Sequence, residues 1–183
     1  MIINTDPKKI EEVLTRGVDE VIDKKHLERR LKSGERLRVK FGIDPTAPDL
    51  HLGHSVVLRK LRQFQDLGHR IVFLIGDFTA KIGDPSGRME ARKPLNDKQI
   101  KNNMKDYVEQ AAKVLNIKKV EIRYNSEWYK NKGAVFLMDL TSRFTFARVT
   151  ERDDFKRRIK EDINVSMLEL IYPLLQGYDS VEL

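Results

Sequence analysis

A chain of 183 residues can bury one good hydrophobic core, with two small domains as the alternative. Its 40% hydrophobic and 34% charged residues fit a globular protein and exclude bulk disorder, and a formal charge of +7 favours polyanions such as nucleic acid or nucleotides. Cysteine is absent, which excludes disulfides and thiolate metal sites; no apolar run reaches the ~20 residues of a membrane span and no signal-peptide core is present, so the expected location is cytoplasmic.

Asp6-Pro7 reads as a capped helix start, with Ile10, Val13 and Leu14 as its apolar face and Gly17 at its end. A second helix over 24–32 presents Leu27 and Leu31 and stops at Gly34. Leu37, Val39, Phe41 and Ile43 alternate as in a strand; Val57, Leu58, Leu61 and Phe64 then recur at helical spacing from about Ser55 to Gly68. The apolar run over 69–76 suits a strand buried on both faces. Phe41 to His54, F-G-I-D-P-T-A-P-D-L-H-L-G-H, therefore joins a strand's carboxyl end to a helix start, which is where open α/β sheets bind ligands.

Residues 77–94 are rich in Gly, Pro, Ser and basic side chains and lack a sustained period, as a long functional or disordered loop would. Asn96 and Gln99 form a capping-box pattern ahead of a helix carrying Ile100, Met104, Val108, Ala111 and Leu115. Val120, Ile122 and Tyr124 alternate as a further strand. The mostly apolar stretch from Phe136 to Val149 reads as one helix, and residues 151–162 as a charged surface helix. Residues 166–175 read as an apolar helix kinked by Pro173, and Val181-Glu182-Leu183 as the start of a strand without continuation.

His51-x-x-His54 at a helix N-terminus offers imidazole N–H donors where anions are favoured, so the pair could hold phosphate oxygens and stabilise charge growing in a phosphoryl- or nucleotidyl-transfer transition state. Gly53 between them permits close approach of a flat group. By itself the pair could also be two surface histidines, and zinc lacks a third ligand at a suitable spacing. Thr46 and Asp44 share the same rim, stiffened by two prolines. The second loop, G-D-P-S-G-R, adds Asp84 and, with Arg88 and Arg92, two cations able to reach a triphosphate; neither loop is a Walker A or a dinucleotide fingerprint. Tyr172, Gln176 and Asp179, spaced four and three apart, share a helix face able to bind a small zwitterion, or form an ordinary surface face.

Together these residues resemble the bacterial tyrosyl-tRNA synthetases, class I enzymes. H-L-G-H looks like the class's H-I-G-H signature, and G-D-P-S-G-R and Y-P-L-L-Q-G-Y-D match two further motifs in order. The resemblance implies an α/β, Rossmann-like (HUP-type) parallel sheet with flanking helices, here the first half of the catalytic domain plus part of the helical insertion. The expected division is an N-terminal helical segment over 1–36 and a truncated Rossmann-type domain over 37–183. The implied reaction activates L-tyrosine with Mg-ATP, as substrate and without a protein-bound metal, and passes the tyrosyl group to tRNA(Tyr). By the same resemblance Thr46 and His51 would stabilise the γ-phosphate, His54 and Gly53 would lie against the nucleotide, and Gly42 and Asp44 would line the adenylate site. Asp84, Tyr172 and Gln176 would hold the tyrosine ammonium, Asp179 would accept from the phenol, Arg88 and Arg92 would hold pyrophosphate, and Asn125 and Trp128 would back the pocket. A homodimer through the stretch from Phe136 to Val149 is also implied.

Two departures stand out. Lys40 occupies a position where many members have a tyrosine that contacts the substrate phenol. A G-G-x-D-Q motif and a K-M-S-K-S loop do not occur in these residues, so the chain alone is expected to be a poor catalyst. The readings from other classes are a non-catalytic nucleotide- or tRNA-binding or dimerisation module of the same fold, and a different H-x-G-H nucleotidyltransferase.

Overall fold

The computed structural model describes residues 2–84 and 95–183. The described residues fall into two compact units, the first formed by Met1–Ile43, Ala47–Leu74 and Asn103–Arg123, the second by Asp44–Thr46, Ile75–Asn102 and Tyr124–Leu183.

The first unit carries the sheet. Helices α1 (Pro7–Thr15) and α2 (Lys24–Lys32) start where Asp6 and Asp23 accept backbone N–H groups of their first turns. Strands β1 (Arg38–Ile43), β2 (Arg70–Ile75) and β3 (Val120–Tyr124) form one sheet in the order β1-β2-β3, parallel as strand–helix–strand connections require. Helix α3 (Leu52–Asp66) makes the first crossover, and residues 103–111 of α4 (Asp97–Ala111) lie in the second. The core follows the apolar periods. Ile10, Val13 and Leu14 of α1, Leu31 of α2, Leu58, Leu61 and Phe64 of α3 and four consecutive residues of β2, Ile71 to Leu74, are all buried. Phe41 and Phe73 meet across β1 and β2 with ring centroids 5.8 Å apart. Lys60 of α3 donates to the carbonyls of Val13 and Arg16 at 2.7 and 2.8 Å, satisfying acceptors that α1 leaves open at its end. The helix expected from Ser55 begins one turn earlier, at Leu52, because His51 caps it.

The second unit is helical. A 3₁₀ turn over Thr79–Lys81 follows β2, and α5 (Ser126–Tyr129) follows β3. The anticipated capping box is present, with Gln99 N–H donating to Asn96 and Asn96 N–H to Gln99. The stretch from Phe136 to Val149 is two helices, α6 (Ala134–Ser142) and α7 (Phe146–Thr150). The break has a local cause: Ser142 bonds back to the Asp139 carbonyl, and Thr145 turns extended to cap the Arg148 N–H. Helix α8 (Asp153–Lys160) is surface-charged except for buried Phe155 and Arg158. Helix α9 (Met167–Glu182) opens on a Ser166–Glu169 capping box and continues through Pro173 to Glu182. Val181 and Glu182 are therefore helical, which corrects the strand start read there; the Tyr178 hydroxyl donates to Glu182 four residues on and Lys132 pairs with Glu182 at 3.0 Å, tying the last turn to the helix. Helices α6 and α7 both pack on α9, and Tyr129, Phe136 and Tyr178 cluster with ring centroids 4.7 to 6.2 Å apart.

Candidate functional site

In the first unit, the site is the start of α3. His51 is the N-cap, its Nδ1 accepting the Gly53 N–H at 3.1 Å, while His54 Nδ1 accepts the His51 N–H at 3.1 Å. Two reciprocal bonds of this kind normally need Ser or Thr with Glu. Because each Nδ1 acts as an acceptor, each neutral ring carries its proton on Nε2. Two N–H donors are thus fixed in tautomer at the positive end of a helix. The rings lie 3.9 Å apart, and burial, followed by the neighbouring His51, holds the His54 pKa below its ordinary value. A Cβ at Gly53 would stand 2.9 Å from His51 Cε1, so glycine there lets the ring fold back over the helix start. Gln110 of α4 sets the approach: its Oε1 accepts the Leu50 N–H at 2.7 Å and its Nε2 donates to the Pro48 carbonyl and to Asp49. A polar residue on a long helix gave no sequence signal of that duty. Gly42 is exposed on β1, and a Cβ there would meet only Lys40 and Leu74 at ordinary distances.

The second unit holds a network of acids. Its components follow the carboxyl ends of the three strands: Asp44 after β1, Gly76 and Thr79 after β2, Asn125 after β3. Asp44 accepts from Thr79 Oγ1 at 2.7 Å and from the Tyr172 hydroxyl at 3.0 Å. Thr79 in turn accepts from Asn125 Nδ2 at 2.9 Å. Asp179, 4% exposed, accepts from Trp128 Nε1 at 3.0 Å and from Asn125 Nδ2 at 3.4 Å. Asn125 is itself pinned because its Oδ1 accepts the Phe78 N–H at 2.9 Å. A hydrogen-bonded line thus runs from Tyr172 through Asp44, Thr79 and Asn125 to Asp179 and Trp128. Burial, then the carboxylates of Asp44, Asp84 and Asp179, push the Tyr172 hydroxyl well above its ordinary pKa, so it stays a donor. Burial and Asp179 do the same to Tyr129, whose hydroxyl donates to the Leu175 carbonyl at 2.7 Å.

Of the expected site residues, this network joins Asp44, Asn125, Tyr172 and Asp179, with Asp84 close enough for its charge to act on Tyr172. Thr46 is half-buried, its N–H bonded to the Asp44 carbonyl at 2.8 Å. Gln176 is exposed on α9, unlike Tyr172 and Asp179. Arg88 and Arg92 lie outside the described residues. Sequence reasoning missed Thr79 and Gly76. A Cβ at Gly76 would stand 1.9 Å from Asp44 Oδ1 and 2.5 Å from Thr79 Oγ1, so only glycine lets those two bond. Among the described residues no group of three His, Asp or Glu is arranged to hold a metal ion, and no helix is long and apolar enough to cross a membrane.

Buried carboxylates after the strand ends offer hydrogen-bond acceptors in one unit, and the histidine pair offers N–H donors at a helix start in the other. Residues 32–183 match the family described as tRNA synthetases class I (W and Y). The chain belongs to this family. It is 53% identical over 170 residues to a tyrosine–tRNA ligase of Oleidesulfovibrio alaskensis, covering 93% of this chain and 43% of that protein. To the corresponding ligase of Burkholderia thailandensis it is 55% identical over 175 residues, covering 93% and 42%. Among solved structures it is similar to a C-terminally truncated mitochondrial tyrosyl-tRNA synthetase of Aspergillus nidulans, with a TM-score of 0.81 and 26% identity over 93% of this chain and 52% of that one. The chain therefore spans about two-fifths of the length of the curated relatives it matches, and its fold is the Rossmann-like α/β fold of the class.

Proposed function

We propose that this chain is the amino-acid- and ATP-binding part of a tyrosine–tRNA ligase. The observation that carries the reading is Asp179: a buried carboxylate oriented by two N–H donors, Trp128 and Asn125, is built to accept a hydrogen bond from a buried hydroxyl. A substrate phenol supplies that hydroxyl, and phenylalanine would leave the acceptor unpaired, which is how such sites discriminate. Asp84, Tyr172 and Gln176 would take the α-ammonium. Thr46 and His51 would meet the γ-phosphate of Mg-ATP, bound as substrate, with His54, Gly53, Gly42 and Asp44 along the nucleotide and Arg88 and Arg92 on pyrophosphate. The tyrosine carboxylate oxygen attacks the α-phosphorus as the bond to pyrophosphate breaks. A tRNA ribose hydroxyl then attacks the acyl carbon, loses its proton and releases AMP. No covalent enzyme intermediate is needed; positioning and electrostatic stabilisation suffice.

A second copy of the chain is the proposed partner of the α6–α9 face. A groove of about 650 Å³ lies there, lined by Phe136, Leu140, Phe144, Val149, Pro173 and Leu174. Met138 and Phe146 are also largely exposed, 70% and 68%. Sedimentation would read the dimer, and Phe144→Asp should abolish it.

Calorimetric titration with a non-hydrolysable tyrosyl-adenylate analogue tests the main reading. Tight binding that Asp179→Ala removes is expected. Absence of binding, with tRNA still retained, would favour the non-catalytic module.

A further inference from the structure

Helix α9 carries both Tyr172 and Asp179, yet its own hydrogen-bond ladder lacks one rung just after its first turn. Pro173 has no N–H to give to the Glu169 carbonyl, and its ring crowds that carbonyl. Gly177 weakens the next turn. The backbone alone therefore fixes the first turn, and Tyr172 at its edge, less firmly than an unbroken ladder would. The side chain of the same Glu169 is buried and accepts three hydrogen bonds. Arg158 of α8 donates from Nη1 to Glu169 Oε1 at 2.6 Å and from Nη2 to Oε2 at 3.3 Å. Arg158 Nη2 also donates to the Asn164 carbonyl, and Glu169 Oε2 accepts the Ser166 N–H at 2.9 Å. One guanidinium thus ties α8, the connecting loop and the start of α9 together.

The pair is only 1% and 4% exposed. Burying two charges is expensive, and apolar residues of similar volume often give equal or greater stability. Such a pair is better explained by the geometry it enforces. The loop it spans supports this: Asp162 adopts a left-handed φ of 56°, and the Ile163 N–H returns to the Arg158 carbonyl at 2.8 Å. Tyr172 stands one turn beyond Glu169 on the same helix face.

The geometry points to Arg158 and Glu169 as a positioning pair that aims the Tyr172 hydroxyl for the substrate ammonium, an inference that rests on reading Tyr172 as an amino-acid-binding residue. The pair touches no substrate; it acts through the direction of the first turn of α9.

The test compares Arg158→Met/Glu169→Leu and Arg158→Lys with the parent chain. Calorimetry reads tyrosine affinity, melting reads the thermal midpoint, and fluorotyrosine labelling reads Tyr172 among the five tyrosines, assigned through Tyr172→Phe. The apolar double variant should melt near the parent, bind tyrosine at least ~10-fold more weakly and show a shifted or split Tyr172 resonance. Arg158→Lys, which keeps the charge but loses the fork, should weaken binding by ~3-fold with a smaller shift. If the double variant does not fold, Arg158→Lys is judged by the same criteria. Parent-like affinity overturns the proposal, as does weakened binding with an unmoved Tyr172 resonance. A parent chain that binds no tyrosine overturns the functional reading instead, while a resonance that moves in the variants still assigns the pair its hold on Tyr172.

Discussion

The histidine pair of the first unit and the acid network of the second reach fixed geometry by different means. His51 is exposed, and both rings are held by backbone N–H groups of their own helix turn. Their order is local and cheap to lose. Asp179, Asn125 and Thr79 are buried and held by one another across segments far apart in sequence. Their order is part of the fold. Substitutions in the network should therefore cost stability and binding together, whereas substitutions at the pair should cost binding with little stability.

The largest effect is expected at Asp179→Ala. It leaves the Trp128 and Asn125 donors buried without their acceptor, a penalty of about 1–3 kcal/mol seen in denaturant unfolding. The same change should weaken tyrosine binding by ~100-fold in calorimetry while bringing phenylalanine closer to tyrosine. Selectivity unchanged in the variant would detach Asp179 from the phenol.

Gly76→Ala comes next. The added methyl falls 1.9 Å from the Asp44 carboxylate and must drive it from Thr79. Overpacking of this kind costs about 1–3 kcal/mol, read by thermal melting. Tyrosine binding should fall with it, because Tyr172 also bonds Asp44.

These two residues also mark where sequence reading reaches and where it stops. Asp179 was singled out through the family resemblance; the helical spacing of Tyr172, Gln176 and Asp179 alone allowed an ordinary surface face, and Gln176 is indeed exposed while Asp179 is buried. Gly76 and Thr79 were not legible, because their role arises only when the ends of three strands converge, and no periodicity encodes a contact across 35 residues. The strands and most helices were legible from apolar period and caps. The break between α6 and α7 was not, since an apolar run hides a Thr145 cap worth one hydrogen bond. Gln110 illustrates the same limit in the first unit.

A third imidazole, apart from the pair, tests what burial does. His69 is 2% exposed; its Nδ1 accepts the Leu37 N–H at 3.3 Å, and among the described residues its Nε2 has no partner. Burial, then Arg36, depresses its pKa below 6.5. The unfolded chain therefore binds the proton first as pH falls. Stability from this residue is complete above pH 6.5 and is lost as pH drops through the folded pKa, at up to about 1.4 kcal/mol per pH unit. Melting between pH 7.5 and 5.5 should show this decline in the parent and a flatter profile in His69→Gln.

The smallest effects belong to the pair. His51→Ala removes a helix cap and should cost about 1 kcal/mol, most of it restored in His51→Asn, which can cap in the same way. Gly53→Ala should be nearly neutral in melting. The methyl meets only the exposed His51 ring at 2.9 Å, which can swing aside, and alanine regains about 0.5–1 kcal/mol of helix preference over glycine. Yet the displaced ring loses its fixed tautomer and direction, so binding of an ATP analogue should weaken although the protein does not. A Gly53→Ala protein destabilised as much as Gly76→Ala would break the contrast, because the helix start would then be as tightly built into its fold as the acid network is into its own.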